Sequence, residues 1–561
     1  MRKKKTVIPG TLETLAREWE GRDPRCWNRH HRLFVEFSRK AVALGQPMLA
    51  FDIAREGLAR FPRRRELGYL AALALAKCGA TSHAARLLDK LLAGGALAAK
   101  LRSEVLSLAG RIAKDHWAVL GDGPRRRVAG ERSRELYSQA YRVARDYFPG
   151  INAATMSLLT GHSRKARRLA AEVRRRCVAI ARSARSSDYW VNATLGEACV
   201  LLGRRAEACE HYARAAAAAG GNYGDIASMR RQLRLLASRV DLAGDVLDVL
   251  KIPRVAAFTG HMIDGPGRRE SRFPPGLEHA VERAIAQALE KTDIGFAYCS
   301  AACGADILFI EQMLKRGAEV NIVLPFRRED FVRTSVSFAG SAWVRRFDRV
   351  LSRAASVSFG VEESYLGDDV LHGYASQLID GMTLLRAQQL EVAPLLVAVA
   401  DPAGAQAAGG TRFNVEAWRG AGRASLLLDL AKIRAQADLP RKRDAARRSA
   451  GPAPRGAGGG RRIRTMLFAD VAGFSRLREE DAPAFFVSFL GMVAREIRRS
   501  DPAPAFFNTW GDGLHLVFDD VRAGADFALR LRDATRATDW RKMGLAAGTS
   551  VRIALHTGPV F

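Results

Sequence analysis

Residues 465–475, TMLFADVAGFS, place an aspartate at the end of an apolar run, and residues 508–513, NTWGDG, place a second aspartate between two glycines. Residues 465–468 have the composition of a short buried strand. The apolar segments 505–507 and 514–518 flank the Gly-Asp-Gly turn and predict a β-hairpin. We therefore expect Asp470 at a strand end and Asp512 at a hairpin tip, where they can meet only if their strands are neighbours.

Two carboxylates that face one cleft can hold two magnesium ions, one activating a hydroxyl group and the other neutralising phosphates. Residues 473–475 follow the first aspartate and are expected to open a helix, so that their free backbone N–H groups could receive a triphosphate. Each signal alone is common, because aspartate and glycine are ordinary turn residues. The combination, in this order and spacing, indicates a nucleotide site.

These motifs resemble the class III adenylate/guanylate cyclase catalytic domain over residues 463–561. The resemblance implies an α+β, ferredoxin-like fold that converts ATP or GTP to the 3′,5′-cyclic monophosphate and pyrophosphate. It also implies two Mg²⁺ or Mn²⁺ ions and a site shared between two copies, hence a dimer formed through this domain. The residues that it assigns to metal ions are Asp470, Val471 and Asp512, with Asp470 and Asp512 as the catalytic pair. Those that it assigns to the triphosphate are Gly473, Phe474 and Ser475.

Two departures from the cyclase pattern affect the function expected of this domain. Asn508 occupies the base-reading position, where the family usually has lysine or glutamate, so a preference for ATP or GTP is not predicted. The family's asparagine and arginine for the transition state would follow residues 556–559, and the sequence as given stops before them. We therefore expect either a fragment of a longer protein or a degenerate domain that senses or pairs rather than catalyses.

The whole sequence, of 561 residues with 48% apolar content, is long enough for several domains with full cores. Its net charge of +30 could suit nucleic acid, but arginine is spread through every region together with alanine and glycine, so nucleic-acid binding is not expected. The seven cysteines have no framework spacing, and no run of eighteen apolar residues occurs. We expect a cytoplasmic protein without a membrane span.

Residues 1–250 predict an all-α region of helical repeats. Single glycines interrupt alanine- and leucine-rich windows, and an alanine follows each of them at the same offset. These pairs are Gly45 and Ala50, Gly79 and Ala84, Gly161 and Ala166, and Gly203 and Ala208. The spacing from Gly45 to Gly79 is the tetratricopeptide period, in which glycine ends one helix and a small residue lets the next pack closely.

Within this region, residues 146–155 and 188–194 resemble the helical TRAF-binding-type region of stress-kinase relatives and bacterial signalling proteins, over about residues 130–240. That resemblance implies protein partners rather than chemistry. The alternative interpretation is that Tyr147, Tyr189 and Trp190 are ordinary core aromatics.

Residues 251–436 alternate between apolar strand segments and helical segments, which predicts an α/β, Rossmann-like domain with a parallel sheet. Ligands of such sheets bind at the carboxyl ends of the strands, where residues 259–261, 299–306 and 325–327 lie. The turn at residues 302–306 is expected to open a helix whose amides face an anion.

This segment resembles the SLOG superfamily of nucleotide-binding, Rossmann-like proteins, which implies a nucleotide-like ligand. The residues assigned to that ligand are Gly260, His261, Gly304, Asp306 and Glu311. His261 is equally well explained as a loop histidine bonded to its own backbone. Cys303 is interpreted as a packed thiol, because the sequence places no base beside it.

Residues 437–462 are predicted to be a flexible basic linker, since glycine, proline and charge prevent burial. The leading hypothesis is a regulated cyclase, with helical repeats and a nucleotide-sensing domain as inputs. The alternative is a ligand-sensing scaffold whose cyclase-like domain is inactive. A third hypothesis makes the middle domain an enzyme that cleaves a nucleotide or glycosidic bond with Asp306 and Glu311 as its acids.

Overall fold

A computed structural model describes residues 12–183, 188–240, 245–266, 271–367, 370–401, 410–437, 460–472, 474, 480, 482–543 and 550–561. The chain divides into two compact units, with the boundary between Ile252 and Pro253. Most of the predicted linker, residues 438–459, lies outside the described residues.

The described part of the first unit is built from helices, as the sequence predicts. They are α1 (Leu12–Glu20), α2 (Pro24–Trp27), α3 (His31–Ala43), α4 (Pro47–Arg60), α5 (Arg65–Lys77), α6 (Thr81–Ala93), α7 (Ala99–Val119), α8 (Pro124–Ala144), α9 (Tyr147–Leu159), α10 (Ser163–Ser183), α11 (Tyr189–Leu201), α12 (Arg205–Ala218), α13 (Tyr223–Ala237) and α14 (Asp245–Asp248).

The repeated glycines end four of these helices in the left-handed conformation, with φ between 73° at Gly45 and 88° at Gly161. After each glycine, the next N–H group donates to a carbonyl one turn back, as Gln46 N does to Ala41 O at 2.8 Å. Glycine is favoured there because it has no Cβ to clash in that conformation. The alanines five positions later are all buried. The predicted repeat is confirmed.

A buried polar network joins alternate helices of this unit. Lys114 Nζ on α7 donates to Asn152 Oδ1 on α9 at 2.8 Å and to Gln232 Oε1 on α13 at 3.2 Å. Gln232 Nε2 donates to Glu197 Oε1 on α11 at 2.7 Å, and Thr155 Oγ1 donates to the same oxygen. Burial lowers the pKa of Lys114 and raises that of Glu197. The network ties α13 to the other three helices.

The second unit contains a six-stranded, all-parallel sheet of order β4-β3-β2-β1-β5-β6. Its strands are β1 (Arg254–Gly260), β2 (Ile294–Cys299), β3 (Glu319–Leu324), β4 (Ser356–Phe359), β5 (Leu395–Ala400) and β6 (Ser425–Asp429). Its helices are α15 (Glu278–Glu290), α16 (Ala305–Lys315), α17 (Arg328–Ser335), α18 (Ser341–Arg353), α19 (Val370–Leu390), α20 (Thr411–Gly420) and α21 (Leu430–Gln436). The predicted parallel sheet is confirmed.

An antiparallel, four-stranded sheet of order β10-β7-β9-β8 completes the second unit. Its strands are β7 (Arg462–Val471), β8 (Phe506–Trp510), β9 (Gly513–Phe518) and β10 (Val551–Val560). Its helices are α22 (Ala482–Phe485), which continues through a π-helical turn (Phe486–Leu490) into α23 (Gly491–Arg498), and α24 (Val521–Ala537).

Helical residues cover one face of this second sheet, because Leu467, Leu514 and Leu516 share a core with Phe489 and Phe527. The alternate strand residues point to the other face, on which Phe468 and Phe506 are exposed. We call this second surface the open face. Across the described part of the chain, no helix is both long and apolar enough to cross a membrane.

Candidate functional site

The two aspartates that the sequence analysis assigns to metal ions lie near each other in the antiparallel sheet. Asp470 is the penultimate residue of β7, and Asp512 lies in the two-residue turn that joins β8 to β9, beside Gly511 at φ 61°. Strands β7 and β9 pair directly, and Val471 N donates to Asp512 Oδ2 at 3.2 Å. The predictions that Asp470 lies at a strand end, that Asp512 lies at a hairpin tip and that their strands are neighbours are therefore confirmed.

Arg552 is a residue of this site that the sequence analysis missed. It lies on β10 in register with Asp470 and donates hydrogen bonds to both carboxylate oxygens, at 2.7 and 2.5 Å. The bond to Asp470 raises the pKa of the guanidinium. In the sequence it is marked only as a cation within a β-strand. Its position opposite Asp470 becomes clear once the register of β10 and β7 is known.

The open face also carries Asn508, the residue that the cyclase resemblance assigns to base reading. Asn508 on β8 pairs with His515 on β9, which pairs in turn with Phe468 on β7. The rings of Phe468 and His515 stack with centroids 4.5 Å apart. Trp510, on the edge strand, is 55% exposed. Asp470, Asn508 and a group of exposed aromatic rings thus share the face that no helix of this sheet's core covers.

The predicted triphosphate turn is described only at Phe474. Its ring packs against Phe485 at 5.0 Å and Phe486 at 6.3 Å between centroids, so this side chain belongs to the helical layer of the domain. Gly473 and Ser475 lie outside the described residues.

The residues assigned to metal ions provide donors of the right kind. Mg²⁺ prefers oxygen ligands and is usually held by one or two carboxylates together with substrate phosphates. Asp470, Asp512 and the Val471 carbonyl make such a set. No group of three or more His, Cys, Asp or Glu side chains within the described ranges could hold a metal ion, so phosphate oxygens would have to complete the coordination.

A second candidate site is a cavity of about 370 Å³ in the parallel-sheet domain. Its lining includes residues 259–261 at the carboxyl end of β1 and residues 410–412 at the start of α20, which follows β5. Strands β1 and β5 are neighbours at the point where the strand order reverses, which is where open α/β sheets bind their ligands. Three of the predicted residues, Gly260, His261 and Asp306, line this cavity.

Asp306 is 6% exposed. Its Oδ2 accepts the N–H of Ala302 at 3.2 Å, whereas Oδ1 has no hydrogen-bond partner among the described residues. Burial raises the pKa of this carboxyl group to about 7, against the opposing effect of backbone N–H groups at Ala302 and Gly260. A carboxyl oxygen without a partner is therefore buried at the wall of the cavity.

The turn before α16 does not offer its amides to an anion as expected. Cys303 N donates to Ser335 O at 3.0 Å, Ala305 N donates to His261 O at 3.1 Å, and Ala302 N is taken by Asp306. Gly304 has φ 105°, and a Cβ atom there would lie 2.6 Å from Ile263 N. Its role is thus to permit this close backbone approach, and it does not line the cavity.

Glu311 is also absent from the cavity lining. Arg346 on α18 donates to both of its carboxylate oxygens, at 2.9 and 2.6 Å, and to Glu278 on α15 at 2.6 Å. The side chain of Glu311 is therefore engaged in an ion-pair network that joins three helices. Burial raises the pKa of the Cys303 thiol to about 12, in agreement with a packed and unreactive cysteine.

Helix α19 connects the two domains of the second unit. His372 and Ser376 line the cavity, and Tyr374 on the same helix donates its hydroxyl hydrogen to Thr557 O in β10 at 3.0 Å. Strand β10 is the one that carries Arg552. Residues 272, 412 and 414 also line the cavity and were not found from the sequence, because they come from distant loops and helices.

In the helical unit, the two motifs at residues 146–155 and 188–194 form equivalent helix starts. Asp146 Oδ1 accepts the N–H of Phe148 at 3.0 Å, and Asp188 Oδ1 accepts that of Trp190 at 2.8 Å. Trp190 is 52% exposed and Phe148 is similarly exposed. The core interpretation is wrong for Trp190, while Tyr147 and Tyr189 are half-buried.

A comparison with protein-family models agrees with the helical repeats. Residues 49–157 match the family model described as Tetratricopeptide Repeats-Sensor. A thermophilic TPR protein of Thermus thermophilus is similar at 18% identity, with 36% of this chain and 100% of that chain covered and a TM-score of 0.30. MamA of Desulfovibrio magneticus is similar at 16% identity, with 33% and 92% covered and a TM-score of 0.24. No curated protein matches the chain. The helical unit contains repeats of the tetratricopeptide type.

Proposed function

We propose that this chain is a signalling protein whose antiparallel-sheet domain is a nucleotide cyclase acting on ATP or GTP, regulated by the other two regions. In this proposal, the parallel-sheet domain binds a nucleotide-like ligand and the helical repeats bind protein partners. The observation that carries the proposal is that Asp470, at the end of β7, and Asp512, in the turn before β9, lie at the same end of two paired strands, where Val471 N donates to Asp512 Oδ2.

The carboxylates of Asp470 and Asp512 and the carbonyl of Val471 would hold the two Mg²⁺ or Mn²⁺ ions. Such ions supply charge neutralisation at the phosphates and an activated hydroxyl group. Arg552 at present satisfies both oxygens of Asp470, and its side chain is 72% exposed. An exposed guanidinium at this position can turn from the carboxylate to phosphate oxygens, which it binds in the same bidentate manner.

A second copy of the chain is the proposed occupant of the open face. Phe468, Phe506 and Trp510 are exposed there beside Asp470 and Asn508. Exposed aromatic groups of this kind favour association, because burying each ring removes a large apolar area from water. A dimer across this face would enclose the carboxylates between two copies.

The test is to incubate the full-length protein with Mn²⁺ and either ATP or GTP and to measure the cyclic monophosphate by mass spectrometry. We expect product from at least one nucleotide, and a loss of about 100-fold or more in Asp470→Ala and in Asp512→Ala. Asp526→Ala, on the exposed side of α24, is the matched control and should keep full activity. Product that is unchanged by either carboxylate substitution would contradict the proposal.

The second candidate function is a non-catalytic, ligand-sensing scaffold. The observation that favours it is the Arg552 clamp on Asp470, together with asparagine at position 508. It predicts nucleotide binding that depends on Mn²⁺ but gives no cyclic product. Asp306 and Glu311 do not form a pair of catalytic acids in the cavity, because Arg346 engages Glu311 away from it.

A further inference from the structure

We propose that the cavity of the parallel-sheet domain binds a nucleoside phosphate with its phosphate toward Arg272, Arg412 and the start of α20, and with a donor group of the nucleoside on Asp306. This inference rests on the nucleotide-like ligand of the proposed function. It assigns the phosphate to these groups rather than to the amides of the glycine turn to which the sequence pattern points.

The first argument is the state of Asp306. Its Oδ1 has no partner among the described residues although the residue is only 6% exposed. A buried acceptor without a hydrogen bond is costly, and a ligand N–H or O–H group that reaches it removes this cost. The oxygen belongs to a residue of the cavity wall, so the donor would come from the cavity side.

The second argument is the distribution of positive charge around the cavity. Arg272 and Arg412 belong to the lining, and Arg412 Nε is oriented by Glu416 Oε1 at 2.9 Å. Gly410 and Thr411 line the cavity where α20 begins, and no side chain caps that helix. A helix start and two guanidinium groups together favour an anion.

The third argument excludes the alternative position for the phosphate. The amides of Ala302 and Cys303 before α16, and that of Ala305 at its first position, all have protein acceptors. The carboxyl group of Asp306 lies in the same turn, and its negative form would repel a phosphate. The cavity volume of about 370 Å³ suits a ligand of nucleotide size.

The experiment measures binding by calorimetry in the Asp470→Ala/Asp512→Ala background without divalent cations, so that the cyclase site does not contribute. The probes are AMP, GMP, adenosine, guanosine, ribose 5-phosphate and inorganic phosphate. We expect AMP or GMP to bind at least tenfold more tightly than its nucleoside. Ribose 5-phosphate tests whether a sugar hydroxyl alone supplies the donor to Asp306.

Arg272→Gln/Arg412→Gln should bring the affinity of the nucleotide down to that of its nucleoside. Asp306→Asn should weaken nucleotide and nucleoside by the same factor, at least tenfold, because its amide presents a donor in place of the acceptor. Inorganic phosphate should bind the Asn variant as it binds the parent. Arg349→Gln, on the exposed side of α18, should change nothing.

The outcomes separate this inference from the proposal on which it rests. If Asp306→Asn and the double arginine variant both bind the nucleotide as the parent does, the proposed orientation is wrong. The proposal that the ligand is a nucleotide would still hold. If none of the probes binds, both the orientation and the nucleotide ligand fail, while the cyclase assay stands on its own. Thermal unfolding of each variant checks that it is folded.

Discussion

At the residue scale, Asp306 makes stability depend on pH. Burial raises its pKa from 3.8 to about 7 in the folded chain. The folded state therefore holds the proton more tightly than the unfolded state does. The contribution of the protonated Asp306 to the free energy of unfolding is fully present below pH 4. It is lost as the pH rises through about 7.

We predict that Asp306→Asn becomes more stable than the parent as the pH rises from 4 to 8. The difference has an upper bound of about 4 kcal/mol, which is the free energy equivalent to the change in pKa. Thermal unfolding at several pH values measures it. The ionisable groups that interact with Asp306 include the thiols of Cys299 and Cys303, which are the same in the parent and the variant. The exposed Asp293→Asn should show no such trend, and an Asn variant that follows the parent at every pH would contradict the prediction.

Some residues could be placed correctly from the sequence alone, and others could not. Asp470 and Asp512 could be placed together because strand patterns and a Gly-Asp-Gly turn are local signals. Glu311 could not be placed correctly, because its partner Arg346 lies on another helix and only the packing of α16 on α18 joins them. For the same reason, Arg552 opposite Asp470 depends on a register that composition does not reveal.

At the element scale, the polar network that holds α13 should behave as a unit. Lys114→Met removes the donor to Asn152 and Gln232 and leaves Glu197, which is 9% exposed, without the nearby cation. We predict a loss on the order of 3 kcal/mol in the free energy of unfolding, measured from helical circular dichroism in urea. The paired change Lys114→Met/Glu197→Gln removes both charges and should recover most of it. Equal stability of the single variant and the parent would contradict this expectation.

The helices of the first unit were predictable because each repeat carries its own signals, a glycine in the left-handed conformation and a buried alanine in the next helix. Strands β4 and β6 were not predicted. Strand β4 is short and half serine, and its residues are largely exposed, so no apolar pattern marks it. Strand β6 runs directly into α21, and its apolar residues merge with the helical pattern that follows.

At the scale of the whole molecule, the exposed aromatic side chains of the open face bear on the oligomeric state. We predict that the chain forms a dimer and that Phe506→Ser/Trp510→Ser shifts it to the monomer, as seen by light scattering on a sizing column. Both side chains are exposed on the edge strand, so the change should not unfold the domain. Leu529→Ser, equally apolar and exposed on α24, is the control and should remain dimeric. A parent chain that is monomeric at all concentrations would contradict the prediction.

Helix α19 touches the cavity with His372 and Ser376 and touches β10 with Tyr374. Energetic coupling between two binding sites is reciprocal by thermodynamic necessity. If a ligand in the cavity changes the affinity of the antiparallel sheet for a triphosphate by some factor, the triphosphate changes the affinity for that ligand by the same factor. The affinity of the cavity for its ligand, measured with and without triphosphate, would then give the coupling free energy between the two sites that α19 contacts.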